Sequence, residues 1–495
     1  MSAALVEGAT MIEVDQVRQQ ANGLLNPQRK AELGQFMTPA SVAEFMASLF
    51  SNRSGAVRLL DAGAGVGSLT AAFIDRWGKD AVHATAYEID ETLSSYLRET
   101  LSRYRNCSFE GSVIDRDFIQ DAVYRIKLGR KGEGFTHAIL NPPYKKINSD
   151  SAHRALLRAV GLETVNLYTA FVGLALELMA RGGEVVAIIP RSFCNGLYYR
   201  PFREWMLQRA SLERIHLFHS RTSAFNHDGV LQENVIIKLV RGKRQGKVTI
   251  TTSSDTSFAD LQSHAYPFTE IVHDGDEQKF IHVPTSPTHG GLNGVPLAER
   301  SLEEIGLAVS TGPVVDFRLK EFLRETPEEG TVPLLYPNHF AGGVMEWPRQ
   351  SKKPNALVNH PETKKWLYPN GFYTVVRRFS SKEEQRRIVA NVVDPQAFAT
   401  EFLGFENHLN VFHADKKGID RDVAYGLSVF LNSTAVDEYF RRFSGHTQVN
   451  ATDLRLLRYP GLKELRALGQ WIQTVGRLTQ EMIDQEVEAL HGRRR

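Results

Sequence analysis

Short apolar runs alternate with stretches of helical periodicity through the first half of the chain. Val57-Arg58-Leu59-Leu60 reads as a strand, and Ser68 to Arg76 follows as an amphipathic helix. Ala84-Thr85-Ala86-Tyr87 is a second strand, Gly111 to Phe118 carries a third, and His137-Ala138-Ile139-Leu140 is a fourth, fully apolar in its last three positions. Leu167, Phe171, Leu174 and Leu178 recur on one helical face, with Gly182-Gly183 as the expected stop. Glu184 to Ile189, Arg214 to Phe218 and Asn234 to Val240 read as strands five to seven. The alternation predicts an α/β fold, with one seven-stranded, mostly parallel sheet and helices on both faces.

The pattern changes after residue 245. Residues 246–290 are rich in Thr, Ser and Asp and read as a connector, its turn-rich end at Pro284 to Gly294. Residues 291–495 then read as a separate α+β domain, closed by one long helix from Gly461 to Leu490. A chain of 495 residues is too long for a single core, so a division into domains 1–245 and 291–495 is expected.

Charge and composition narrow the class only slightly. A net charge of +2 neither demands nor excludes nucleic acid, because a basic face can be offset elsewhere. No apolar run approaches a membrane span and no signal pattern opens the chain, so a cytoplasmic protein is expected. Cys107 and Cys194 are the only cysteines and the histidines lack ligand spacing, so neither a disulfide framework nor a metal site is expected.

Chemistry concentrates at the predicted strand ends, where ligands of such sheets bind. Asp61-Ala62-Gly63-Ala64-Gly65-Val66-Gly67 follows the first strand, and its glycines allow close backbone approach to a ligand. The leading Asp61 suits a cofactor with a cationic amino end better than a pyrophosphate. Glu88-Ile89-Asp90 ends the second strand, where an acid can accept both ribose hydroxyls. Asp115 and Asp117 follow the third, beside an expected adenine pocket. Asn141-Pro142-Pro143-Tyr144 ends the fourth: two prolines stiffen a turn that begins with an amide and ends with an aromatic ring. Such a turn offers hydrogen-bond acceptors and a stacking surface to an exocyclic amine on a flat base.

Together these segments resemble the gamma class of S-adenosylmethionine-dependent adenine-N6 DNA methyltransferases of bacterial restriction–modification systems. Gly34-Gln35-Phe36-Met37-Thr38-Pro39 resembles the family's first motif, which implies that Gln35, Phe36 and Thr38 line the methionine end of the cofactor. Asp61 to Gly67, including Gly63 and Gly65, resembles the glycine motif, and Glu88 with Ile89 the ribose-binding segment. The adenine-pocket acid of the family stands before a Phe, which favours Asp117-Phe118, with Asp115 left open by the spacing. Asn141 to Tyr144 resembles the catalytic motif, and Asn166-Leu167-Tyr168 to Pro190 the helix and strand after it. By position, Phe225 in Ser223-Ala224-Phe225-Asn226 matches the aromatic residue on the far face of the flipped base, with Phe218 as the fallback.

The resemblance implies a Rossmann-like methyltransferase sheet joined to a C-terminal target-recognition domain. Its partners would be double-stranded DNA and a cognate restriction endonuclease encoded separately. Ser310-Thr311-Gly312-Pro313, Arg377-Arg378-Phe379 and Ser444 to Asn450 look like the family's target-recognition segments. Three rivals remain from sequence: a methyltransferase acting on RNA adenine, one acting on a protein glutamine, and a DNA-binding specificity component with a vestigial site.

Overall fold

The computed structural model describes residues 11–24, 36–51, 55–77, 81–104, 109–129, 134–218, 233–284, 298–380, 384–443, 448–476 and 478–492. The chain forms two compact units, Met1–His289 and Gly290–Arg495.

The first unit is built on strands β1 (Val57–Ala62), β2 (Val82–Tyr87), β3 (Phe109–Ile114), β4 (Phe135–Leu140), β5 (Met179–Pro190), β6 (Ala210–Phe218), β7 (Asn234–Arg241), β8 (Val248–Ser253) and β9 (Gln262–Tyr266). They lie side by side in the order 3-2-1-4-5-7-6-8-9. β1 pairs in parallel with β2 and β4, and β7 inserts antiparallel between β5 and β6. The sheet therefore has nine strands where seven were expected. The two extra strands come from the stretch read as a connector: β8 adds in parallel to β6, and β9 turns back against β8. Its Val-Thr-Ile-Thr-Thr-Ser sequence is polar in composition yet β-branched in shape, and shape decides here.

Both faces of the sheet are covered, which is why its central strands are apolar at nearly every position. Leu59, Ile139, Val186 and Ile188 turn to one face, packing with Phe73 and Trp77 of the helix Ser68–Trp77. Their neighbours Leu60, Ala138, Val185, Ala187 and Ile189 turn to the other, against Val172 and Leu174 of the helix Leu167–Leu178. That helix ends at Leu178, and β5 begins at once with Met179. Gly182 and Gly183 lie inside the strand and do not stop the helix.

The second unit is α+β. Ala308–Thr311, Leu409–His413, Tyr373–Arg377 and Ala390–Val393 form a four-stranded sheet in that order. A five-stranded sheet runs Leu323–Arg324, Ala356–Val358, Thr331–Leu335, Phe402–Phe405, Leu367–Pro369. The helix Arg421–Leu431 bonds to the first sheet through Thr374 Oγ1, which donates to the Ala424 carbonyl at 2.9 Å. It also meets the helix Leu462–Gln473 backbone to backbone: a Cβ at Gly426 would stand 1.7 Å from the Leu465 carbonyl oxygen. The expected single C-terminal helix is two, Leu462–Gln473 and Gln480–Gly492, with Gly476 in the break.

Candidate active site

A cavity of about 400 Å³ opens at the carboxyl ends of β1, β2 and β4. Its floor is the turn after β1. There Gly63 and Gly65 take φ of +77° and +57°, left-handed values that side chains disfavour. The amides of Gly63 and Ala64 both donate to the Tyr87 carbonyl at 2.9 Å, tying the turn to the end of β2. The Gly65 amide donates to Glu88 Oε2 at 2.9 Å, and the Asp90 amide to Oε1 at 2.8 Å. Each carboxylate oxygen is thus fixed in place, and Glu88 lines the cavity. Burial pushes the Glu88 carboxyl up to about 7 against the pull of those amides. Asp90 itself caps the helix Glu91–Ser102.

The upper wall carries the predicted amide. Asn141 Nδ2 donates to the Phe36 carbonyl at 2.6 Å and to Thr38 Oγ1 at 2.9 Å. Its Oδ1 accepts from the Tyr144 hydroxyl at 3.2 Å, and that hydroxyl is 3.3 Å from the Ile188 carbonyl. The Tyr144 ring is tilted against Phe36 at 5.5 Å and edge-on to Tyr168 at 6.1 Å. The chain after Tyr144 is pinned as well, because the Leu167 amide donates to the Lys145 carbonyl at 2.8 Å.

Most predicted residues converge here. Phe36, Thr38, Gly63, Gly65, Glu88, Ile89, Asp117, Phe118, Asn141 and Pro143 line the cavity. Pro142 is buried, and Tyr144 is half-buried beside the cavity lining, its hydroxyl on Asn141 Oδ1. Asp61 does not reach the cavity. It is fully buried behind the glycine turn, where its Oδ2 accepts from Thr70 Oγ1 at 2.7 Å, while Oδ1 has no partner among the described residues. Burial, with the charge of Glu88 adding to it, pushes this carboxyl up to about 7. Asp61 therefore supports the turn from behind.

The two candidate acids after β3 separate cleanly. Asp115 points away to Ser94 and Arg98 and is half exposed. Asp117 lines the cavity and caps the helix Phe118–Lys127 through the Gln120 amide at 3.0 Å. Its Oδ2 pairs with His153 Nε2 at 2.7 Å. Burial opposes ionisation of Asp117, but the His153 and Gln120 bonds hold its carboxyl below the usual carboxylate range. Phe218 packs into the core against His216 and Phe258, as a strand-end residue would. Gln35 and Phe225 lie outside the described residues.

Met37, Arg116, Lys145, Lys146 and His153 also line the cavity and were not singled out from sequence. Lys145 and Lys146 directly follow the Asn-Pro-Pro-Tyr turn, a proximity that was available to read. His153 enters from the helix Ala152–Arg158, and no local signal marks it.

The wall chemistry suits an adenosyl group: paired acceptors on Glu88 for vicinal hydroxyls, apolar Leu93, Phe118 and Phe171 for a flat base, and Asp117 to accept from an amine. Fold and site together define an S-adenosylmethionine-dependent methyltransferase. Residues 83–225 match the Eco57I restriction-modification methylase family. The chain is 52% identical to the type II methyltransferase M.BsuBI of Bacillus subtilis, over 96% of this chain and 97% of that one. It is 44% identical to the type II methyltransferase M.PstI of Providencia stuartii, over 96% of each. The fold is also similar to the DrdV structure determined with DNA, with a TM-score of 0.51 at 12% identity, covering 93% of this chain and 59% of that one. The chain belongs to the type II methyltransferases of restriction–modification systems, enzymes that modify DNA at specific sites.

Proposed function

We propose that the methyl group goes to the N6 amino nitrogen of an adenine swung out of the duplex. The observation that carries this reading is the fixed orientation of Asn141. With Nδ2 donating to Phe36 and Thr38, the side chain presents Oδ1 as its acceptor. An adenine amino nitrogen has its lone pair delocalised into the ring and attacks poorly. Asn141 Oδ1 and the Pro142 carbonyl accept its two N–H bonds, which draws the nitrogen toward tetrahedral geometry and frees the lone pair. Tyr144, wedged between Phe36 and Tyr168, offers a rigid stacking face for the base. Glu88 holds the ribose hydroxyls, and Asp117 the adenine amine, of S-adenosylmethionine, whose sulfonium supplies an electrophilic methyl group. No strong base is needed; the residues act mainly by positioning.

In this reading the first unit carries catalysis and the second recognises the target, the product protects DNA from a separately encoded endonuclease, and the enzyme works in the cytoplasm. The test is transfer of labelled methyl groups from S-adenosylmethionine to unmethylated genomic DNA, followed by nucleoside analysis and motif mapping. N6-methyladenine confined to one short sequence supports the proposal; label on cytosine overturns it, as does label confined to RNA or protein.

A further inference from the structure

Three segments of the second unit that are far apart in sequence meet at one end of its four-stranded sheet. The meeting point is the turn Glu406-Asn407-His408. The Asn407 amide donates to the Val314 carbonyl at 2.9 Å, bringing in residues 314–318. The Arg378 amide donates to the His408 carbonyl at 2.8 Å, and the Val449 amide to the Arg378 carbonyl at 2.7 Å. Phe379 and Gln448 form an isolated bridge beside them.

The surface made there is unusual for this protein. Phe317 and Phe379 are 63% and 47% exposed, and they are the two exposed phenylalanines among the described residues. Phe379 sits at this turn and Phe317 three residues after Val314, each beside an arginine: Arg318 lies over the Phe317 ring at 5.6 Å, and Arg378 precedes Phe379. The Phe379 ring also packs on His408 at 4.9 Å. The support beneath is rigid. Glu406 is fully buried and holds the turn with both oxygens, accepting from the His408 amide at 2.9 Å and pairing with His408 Nδ1 at 2.5 Å. Arg378 Nη1 donates to the Asn407 carbonyl at 3.2 Å, while its buried Nε has no partner among the described residues.

Exposed aromatic rings beside arginines, with amide and imidazole side chains on a rigid turn, match the chemistry of base edges and backbone phosphates. We propose that Phe317, Arg318, Arg378, Phe379, His408 and Gln448 form the surface that reads the duplex target. Arg378, His408 and Gln448 bond to base edges; the two rings contact sugars and thymine methyls; Arg318 neutralises a phosphate. This rests on the reading of the substrate as duplex DNA.

The test uses the full chain and an oligonucleotide duplex carrying the mapped methylation sequence, with a scrambled duplex beside it. Affinity is read by fluorescence anisotropy with sinefungin present, and cofactor affinity by calorimetry. Arg378→Ala and Phe379→Ala should weaken target binding by about 5-fold to 100-fold while weakening scrambled binding far less. Arg318→Ala should weaken both duplexes alike and flatten the salt dependence. Arg466→Ala, an exposed arginine on the helix Leu462–Gln473, should change neither. Cofactor affinity should stay at the wild-type value throughout. Target affinity within about twofold of wild type in all three surface variants would overturn the assignment. If Phe379→Ala does not fold, the exposed Arg318 and the surface turn still decide through Arg318→Ala and His408→Ala. Wild-type protein that binds neither duplex overturns the substrate reading itself, a result distinct from variants that bind like wild type.

Discussion

Replacing Asn141 by alanine separates positioning of the substrate amine from binding of the cofactor. The substitution removes one of the two proposed acceptors and leaves the Pro142 carbonyl. Loss of one preorganised polar contact in a transition state costs about 10²–10³ in kcat. The same change strips a donor from the Phe36 carbonyl and from Thr38 Oγ1, and an acceptor from the Tyr144 hydroxyl, which keeps Ile188. At about 1 kcal/mol per bond, the first unit loses roughly 2–3 kcal/mol, which lowers Tm by about 4–12 °C. Phe36 and Thr38 line the cavity, so their loosened wall weakens the cofactor too, but by no more than one neutral hydrogen bond, about fivefold. Single-turnover transfer of labelled methyl groups gives the rate, and calorimetry the cofactor affinity. The reasoning is refuted if the rate falls less than about tenfold, or if cofactor affinity falls as far as the rate does.

Three further outcomes follow from the same geometry. Asp117→Ala should raise KM for S-adenosylmethionine about 10-fold to 100-fold, the loss of a charge-assisted bond, whereas Asp115→Ala should leave it within about twofold; steady-state kinetics of both variants decides. Asp61 and Glu88 hold their protons up to about pH 7 in the cofactor-free fold. Unfolded carboxylates release theirs near pH 4, so between about pH 4 and 7 the folded chain binds more protons, and stability falls as pH rises through that window. Denaturant melts at pH 5.5 and about pH 7.5 check the sign, and cofactor affinity should improve over the same range as Glu88 ionises. Arg203 is fully buried and donates to the carbonyls of Phe193, Gly196 and Gln278. Arg203→Ala should destabilise by more than about 3 kcal/mol, since each orphaned buried carbonyl costs roughly 1–3 kcal/mol; a Tm near wild type would contradict it.

What could be read from sequence was what the chain decides locally. The glycine turn, the acid after β2 and the Asn-Pro-Pro-Tyr turn are each short segments bound to a strand end, and periodicity located the strand ends. Asp115 and Asp117 could not be separated that way, because the choice depends on which one the backbone turns toward Arg98 and which toward His153. Asp61 was misplaced for a similar reason: one residue's difference along β1 decides whether a side chain faces the ligand or the helix behind it. β8 was missed because threonine counts as polar by composition but fills a sheet well, and Val248 and Ile250 already alternated correctly. The meeting of residues 314–318, 377–379 and 406–408 depends on strand order in the second unit, which no local pattern encodes.

The bonds from Asn141 to Phe36 and Thr38 span 105 and 103 residues of chain. The Asn141 amide is thus oriented by a segment that precedes the whole sheet and also lines the cavity. A fragment beginning at β1 would retain every strand and the whole Asn-Pro-Pro-Tyr turn, yet the Asn141 amide would keep only the Tyr144 hydroxyl to orient it. Rearrangements that shuffle this gene's order are therefore tolerable only when the piece bearing Phe36 and Thr38 returns to the same rim. For protein engineers, splitting the enzyme between that segment and β1 offers a switch: two inert pieces whose reassociation restores the orientation of a single side chain.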